Sequence, residues 1–239
     1  MIKFPEKLII VGNGDFAGFV AYYVKHFFPE YTVAAYSADR AYIKEPRIDG
    51  IPVIALKDIT GEGYPVDEYS FFCAIGYVQM NDVRREKFQY LKSLGYRSPN
   101  LIHPEAYIGP DVCMGEGNFI MERALISPMV TLGNSNTVWN LVVISHESKV
   151  GSFNHIACYC LGGRSIVGNN CFFGINSSVR GGQPIADYTY VGSNAYIGFP
   201  TEEGGVYLAP KAEQLKVRSS KDFLKIESAL SQKASENFK

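Results

Sequence analysis

The chain has 239 residues, enough for one or two domains with a sizeable core. A net charge of −1 without a broad basic patch argues against nucleic acid as a partner, and no apolar run approaches a membrane span. Five cysteines (Cys73, Cys113, Cys158, Cys160, Cys171) make no metal-ligand pattern and are odd in number for a disulfide framework, which points to no metal and a reducing cytoplasm.

The opening, MIKFPEKLIIVGNG, carries a very short apolar run that leads straight into a glycine turn. It reads as a first β-strand over residues 7–11, not as a signal peptide. A helix follows the turn and runs to Phe28, where Pro29 stops it. Thr32 to Tyr36 is a second strand, ending at Ser37-Ala38-Asp39-Arg40. Ile51 to Leu56 and Phe71 to Ile75 are further short buried strands. Asn81 is placed to N-cap a helix reaching Leu94, with Gly95 as its C′ residue. Alternating strands and helices predict a Rossmann-like α/β domain with a parallel sheet over residues 1–98.

The turn Gly12-Asn13-Gly14-Asp15-Phe16-Ala17-Gly18 fits the dinucleotide fingerprint only in a relaxed form, with Ala17 as the third small residue. Its glycines would let backbone N–H groups approach a phosphate at a helix N-terminus, although a tight strand-to-helix corner explains them as well. Asp39 is placed to bind a ribose or base edge, or to be a solvated loop carboxylate. About four strands fit before residue 98, which is one mononucleotide half and not the two that hold NAD, so the reading is a nucleotide diphosphate site. Gly76-Tyr77 follows the last strand, at the carboxyl edge where such sheets bind ligands.

From Leu101 to Ile197 an aliphatic or aromatic residue returns at every sixth position: Ile102, Ile108, Met114, Ile120, Ile126, Leu132, Val138, Ile144, Val150, Ile156, then after one step of five Leu161, Val167, Phe173, Val179, Ile185, Val191 and Ile197. That period fits neither an amphipathic helix nor a half-buried strand; it marks a parallel β-helix over residues 99–198. The fourth position after a frame residue is usually small (Ala106, Ala124, Ser148, Cys160, Ser165, Cys171, Ser177, Thr189, Ala195) and is expected to face inward. Asn118, Asn136 and Asn154, eighteen residues apart, are expected to stack on successive triangular coils and satisfy one another's amides. Residues 199–239 leave the frame in loops, followed by a polar amphipathic helix from Ser219 to Phe238 with Phe223, Leu224, Ile226 and Leu230 near one face.

Four histidines are present. His26 and His103 read as structural. His146, two residues past frame residue Ile144, should point outward from the coil, and Glu147 follows it. A histidine beside a carboxylate suits a general base, although the local sequence alone leans toward a surface His–Glu pair. The five-residue step makes Gly163, not residue 164, the coil neighbour of His146. With adjacent strands about 4.8 Å apart, Gly162-Gly163 lies beside the candidate base, and an N–H there would hold an oxyanion; a tight corner is the plain alternative. His155, just before Ile156, should also face outward and could contact substrate.

The segments LIIVGNGDFAG, CAIGY, LIHPEAYIG, SHESKVG, LGGRSIVG and NCFFGINSSV together resemble the bacterial sialic-acid O-acetyltransferase and nucleotide-aminosugar N-acetyltransferase family of hexapeptide-repeat acyltransferases, over roughly residues 6–212. The resemblance implies a left-handed β-helix, a homotrimer, and acetyl-CoA bound in clefts between neighbouring β-helices. It implies His146 as general base on a sugar amine or hydroxyl, Glu147 orienting it, and the Gly163 amide on the thioester oxygen. Gly162, Ile175 and Ser193 would line the cofactor groove, and Gly12, Asn13, Gly14 and Asp15 would hold the nucleotide sugar. Family members carry a histidine where Phe16 stands, an asparagine where Trp139 stands, an acidic pair where Ser37-Ala38 stand, and Pro-Ala-Lys in place of Ala209-Pro210-Lys211. These departures fall on the sugar and nucleotide side. The expected activity is acetyl transfer to the amine of a nucleotide-linked amino sugar in surface-glycan biosynthesis, with Asp39, Tyr77, Trp139 and His155 also on the substrate side. O-acetylation of a sugar hydroxyl, a non-catalytic trimeric scaffold and an NAD-linked enzyme are the rival readings.

Overall fold

The computed structural model describes residues 4–60, 63–157, 159–214, 216 and 219–225. Strand β1 (Lys7–Val11) buries its four apolar side chains. Helix α1 (Asp15–Phe27) begins at Gly14 and turns Ala17, Val20, Tyr23 and Val24 inward, with Asp15 in its first turn and Lys25 and His26 in its last, each complementing the helix dipole. Strands β2 (Thr32–Ala38), β3 (Arg47–Ile48), β4 (Ile51–Ala55) and β5 (Tyr69–Cys73) follow, then helix α2 (Asp82–Ser93). The sheet order is β3-β4-β2-β1-β5, parallel except where β3 runs antiparallel to β4. The last predicted strand moves two residues earlier because β5 pairs in register with β1, Lys7 against Tyr69 and Val11 against Cys73.

At the start of α2 the expectation for Asn81 is corrected. It occupies the N-cap position with φ +67° and makes no side-chain cap bond. Its Nδ2 instead donates to the Cys171 carbonyl (3.3 Å). The other end follows the sequence. Gly95 has φ +92°, its N–H bonds the Lys92 carbonyl, and the Tyr96 N–H reaches back to Leu91, closing a Schellman motif.

From Leu101 the chain winds into a left-handed parallel β-helix of two-residue strands on three faces. The first face carries Leu101–Ile102, Phe119–Ile120, Thr137–Val138, His155–Ile156, Phe172–Phe173, Tyr190–Val191 and Val206–Tyr207. The second runs from Tyr107–Ile108 to Tyr196–Ile197, and the third from Cys113–Met114 to Pro184–Ile185. The frame residues are the second member of each strand and fill the interior, from Ile120 to Ile197; Ile102, Ile108 and Met114, in the first coil, are only partly buried. Most corners are turned by a residue in the left-handed region three positions after the frame, including Arg123, Met129, Leu141, Glu147 and Arg164. The small positions face inward, with Ala124, Ser148, Ser165, Ser177 and Thr189 fully buried. Cys160 is the exception. It pairs with Val143 in the outward position, because the five-residue step drops a place just before it.

The asparagine ladder forms and is longer than expected. Asn118 donates to Asn100 Oδ1 from both its backbone N and Nδ2, and Asn136 does the same to Asn118. Asn154 N bonds Asn136 Oδ1, and the Cys171 N–H ends the ladder on Asn154 Oδ1. Each amide also donates to the next coil's backbone, at Gly133, Gly151 and Gly168. The α/β region covers the first face: Phe19 of α1 packs on Phe119 and Trp139, and Phe88 of α2 on Phe153. Residues up to Ala209 form one compact unit and those from Pro210 another. In the latter, residues 220–225 are helical; Ile226 and Leu230 of the predicted helix lie outside the described residues.

Replacing Asn136 with alanine would strand the Asn154 N–H inside the coil and take one donor each from Asn118 Oδ1 and the Gly151 carbonyl. Urea unfolding should show a loss of roughly 3 kcal/mol; a loss under about 1 kcal/mol would mean the ladder is not structural.

Candidate active site

The strand pairing Val143–Cys160 and Ile144–Leu161 continues into the corner, where the Arg164 N–H donates to the His146 carbonyl (2.9 Å). His146 and Gly163 therefore stand opposite each other. A Cβ on Gly163 would come within 2.8 Å of His146 Nε2, so glycine leaves the ring its present place. His146 Nδ1 lies 3.0 Å from Glu147 Oε2, and Arg164 Nε donates to the same oxygen at 3.0 Å. Glu147 itself takes the left-handed corner conformation (φ +58°). The His146 hydrogen bond first, and then the Arg164 one, hold the Glu147 carboxyl below its ordinary range. An ionised carboxylate only accepts, so the imidazole proton belongs on Nδ1 and Nε2 keeps a free lone pair facing the bare Gly163 Cα. The Gly163 N–H has no acceptor among the described residues, while its carbonyl receives the Gly182 N–H. The His146 side chain is 56% exposed.

A separate cavity of about 500 Å³ gathers Tyr77, Trp139, His155, Ile175 and Ser193, with Phe172 and Tyr190. Successive coils place His155, Phe172 and Tyr190 in register, and their rings stack at 5.0 and 4.7 Å, each pair 6° from parallel. Tyr77 meets His155 and Phe172 edge-on. His155 does point out of the coil, yet the α/β region covers it and only 7% remains exposed. The Trp139 indole N–H donates to His155 Nε2 at 2.9 Å. An indole only donates, so His155 is neutral with its proton on Nδ1. Burial first, and the charge of Arg84 after it, push its pKa down to about 3.

The glycine turn lies at a third cavity of about 490 Å³, with Gly12 to Phe16, Asp39, Gly76 and Lys87 on its walls. Gly12 has φ +126°, and a Cβ there would sit 2.5 Å from the Ala74 carbonyl oxygen, so glycine is obligatory. Gly14 caps α1, so the start of that helix, Asp15 and Phe16, borders this space. Asn13 Nδ2 is committed to the Tyr42 carbonyl (2.7 Å). Asp39 pairs with Lys87 Nζ at 2.8 Å. Burial alone would lower the Lys87 pKa, but the Asp39 hydrogen bond and charge outweigh it and raise it.

The sequence candidates thus fall into three groups: His146, Glu147, Gly162 and Gly163; Tyr77, Trp139, His155, Ile175 and Ser193; and Gly12 to Asp15 with Asp39. Tyr77 joins the second group, whereas its place at the sheet edge pointed to the third. Phe172, Tyr190 and Arg164 were readable from the same coil arithmetic that found Gly163. Lys87 and Arg84 carry no mark in the sequence. A wider groove, about 1210 Å³, holds none of the candidates; its Asn134, Ser152, Asn169 and Asp187 side chains already accept N–H groups of the neighbouring coil. Among the described residues no group of three His, Cys, Asp or Glu could hold a metal ion, and no helix is long and apolar enough to cross a membrane.

No family model matches the sequence. Among solved structures, the acetyltransferase domain of PglB from Neisseria gonorrhoeae FA1090 superposes with a TM-score of 0.75 at 22% identity, covering 88% of this chain and 100% of that one. The same domain has been solved with acetyl coenzyme A. PerB from Caulobacter crescentus, in complex with CoA and GDP-perosamine, gives a TM-score of 0.72 at 25% identity, over 87% of this chain and 96% of that one. The chain has the fold of these acetyltransferases. WeeI from Acinetobacter baumannii AYE shares it too, with a TM-score of 0.67 at 18% identity, over 87% of this chain and 99% of that one.

His155 makes the acetyltransferase fold acid-sensitive. An unfolded histidine takes its proton near pH 6.5, whereas the folded one resists it down to about 3. The unfolded state therefore binds more protons between these values, and stability falls as pH drops through that window, by roughly 2 kcal/mol at pH 5. His155→Gln keeps an acceptor for Trp139 and does not titrate; chemical denaturation at pH 7.5 and pH 5 should show most of that loss removed.

Proposed function

We propose that this protein transfers an acetyl group from acetyl-CoA to the amine of a nucleotide-linked amino sugar. The observation that carries the reading is the free Nε2 of His146 against the bare Cα and unpaired N–H of Gly163. Side by side they offer a base for the attacking amine and a donor for the thioester oxygen, with no side chain between. Acetyl-CoA supplies an electrophilic carbonyl and a thiolate that leaves. His146 Nε2 accepts the amine proton, and Glu147, fixed by Arg164, holds Nδ1–H and steadies the imidazolium. The Gly163 N–H donates to the oxygen as its charge grows. Ile175 and Ser193 would line the pantetheine path. Gly12 to Asp15 would cradle the diphosphate, with Asp39 and Lys87 at its edge. The bound ligands of the Neisseria and Caulobacter structures, acetyl-CoA in one and CoA with GDP-perosamine in the other, support both halves of this assignment.

A homotrimer belongs to the same reading. The outward positions of the second face include Tyr107, Leu125 and Tyr196, exposed side chains on a face that the α/β region does not cover. His146 stands at the edge of that face, so a neighbouring coil would complete the cleft. The reaction would serve surface-polysaccharide synthesis in the cytoplasm, where buried thiols such as Cys73 and Cys171 stay reduced.

His146→Ala should lower kcat with acetyl-CoA and an amino-sugar nucleotide by about 10²- to 10⁴-fold with little change in either KM; a variant that keeps most of its turnover would overturn the assignment. Sedimentation equilibrium should give three times the 26.5 kDa chain mass.

A further inference from the structure

Between β5 and α2 the backbone makes an unusual turn. Gln79, Met80 and Asn81 take φ values of 50°, 50° and 67°, and none is glycine. Single left-handed residues turn the coil corners, but three in a row make a turn of left-handed helix, closed by the Asn81 N–H on the Tyr77 carbonyl (3.4 Å). L-residues resist this conformation, which persists only where the surroundings impose it.

The restraints come from outside the segment. Asn170 Nδ2 donates to the Met80 carbonyl (3.0 Å), and Asn81 Nδ2 donates to the Cys171 carbonyl (3.3 Å). Arg84 Nη1 donates to the Ile75 carbonyl (3.2 Å), and Arg84 is itself tied to Thr137 Oγ1 and the Asn154 carbonyl. Arg84 is fully buried and has no carboxylate partner among the described residues. The coil thus dictates the path of residues 75–81.

That path is the wall between two cavities. Gly76, Val78 and Gln79 face the cavity of the glycine turn, while Tyr77 faces the aromatic one and keeps 56% of its surface open. A ligand with its diphosphate at Gly12 to Asp15 meets this wall where its next group begins. We infer that the strained turn is a positioning device, locked to the coil by Asn170 and Cys171, that presents Tyr77 to the sugar of a nucleotide sugar. The inference rests on the proposed function, since it takes a nucleotide-linked ligand as given. A tyrosine ring offers an apolar face to sugar C–H groups and one hydroxyl for a polar contact. Holding it rigidly removes an ordering cost from binding.

The test compares a nucleoside diphosphate with its hexose conjugate by isothermal titration: UDP with UDP-glucose, GDP with GDP-mannose, dTDP with dTDP-glucose. In Tyr77→Ala, and in Asn170→Gly, which suits the left-handed corner but removes the bond to the Met80 carbonyl, the affinity for the free diphosphate should stay within about twofold of wild type, while that for the conjugate falls about tenfold. Glycine relieves the left-handed strain, so Met80→Gly should melt no lower than wild type. A purely structural turn would lose stability without separating the two ligands. Equal losses for both ligands, no loss for either, or a lower melting temperature for Met80→Gly overturn the inference. Wild-type protein that binds none of the three diphosphates overturns the proposed function, and this inference with it.

Discussion

The register between stacked coils is the constraint on which the rest depends. The asparagine ladder holds each coil to eighteen residues, amide on amide, until Asn154 receives the Cys171 N–H seventeen residues on. That shortened coil sets every later alignment. It brings Gly163 opposite His146, where an eighteen-residue coil would bring Arg164 and its side chain. It also brings Phe172 beneath His155 and ends the ladder at a cysteine whose carbonyl holds Asn81. One missing residue thus bears on the candidate base, the aromatic wall and the path of the turn after β5.

Two histidines nine residues apart in this coil have opposite chemistry. His146 lies at a corner, half in solvent, with a carboxylate on Nδ1 and, among the described residues, no partner on Nε2. His155 lies in mid-face beneath the α/β region, and an indole occupies its Nε2. The first leaves Nε2 open for an approaching group; the second is locked neutral by a donor that cannot reverse its role. The covering of the first face by α1 and the segment after β5 makes the difference, and the open second face leaves His146 available.

The coil was legible in the sequence because its physics is local and repeated. A six-residue period names the inward side chains, and one irregular step tells where the alignment shifts. That arithmetic reached Gly163, yet it misread Cys160, which falls just past the step and so points out where the count pointed it in. The α/β strands were readable from apolar runs, although β3, two residues long, is too short to show a pattern. Asn81 shows the limit most clearly. Its type and position fit a helix cap, but a carbonyl ninety residues away takes its amide instead. The left-handed run at 79–81 and the turning of Tyr77 into the aromatic cavity arise from such distant contacts, which leave no local trace.

The corner conformation of Glu147 carries a last consequence. Coil corners call for a left-handed residue, a demand that glycine or asparagine meets at least cost. A glutamate there is a poor choice for folding, yet its carboxylate reaches the ring of His146. The architecture and the chemistry therefore compete at one residue, and the carboxylate stands where a more durable coil would have none.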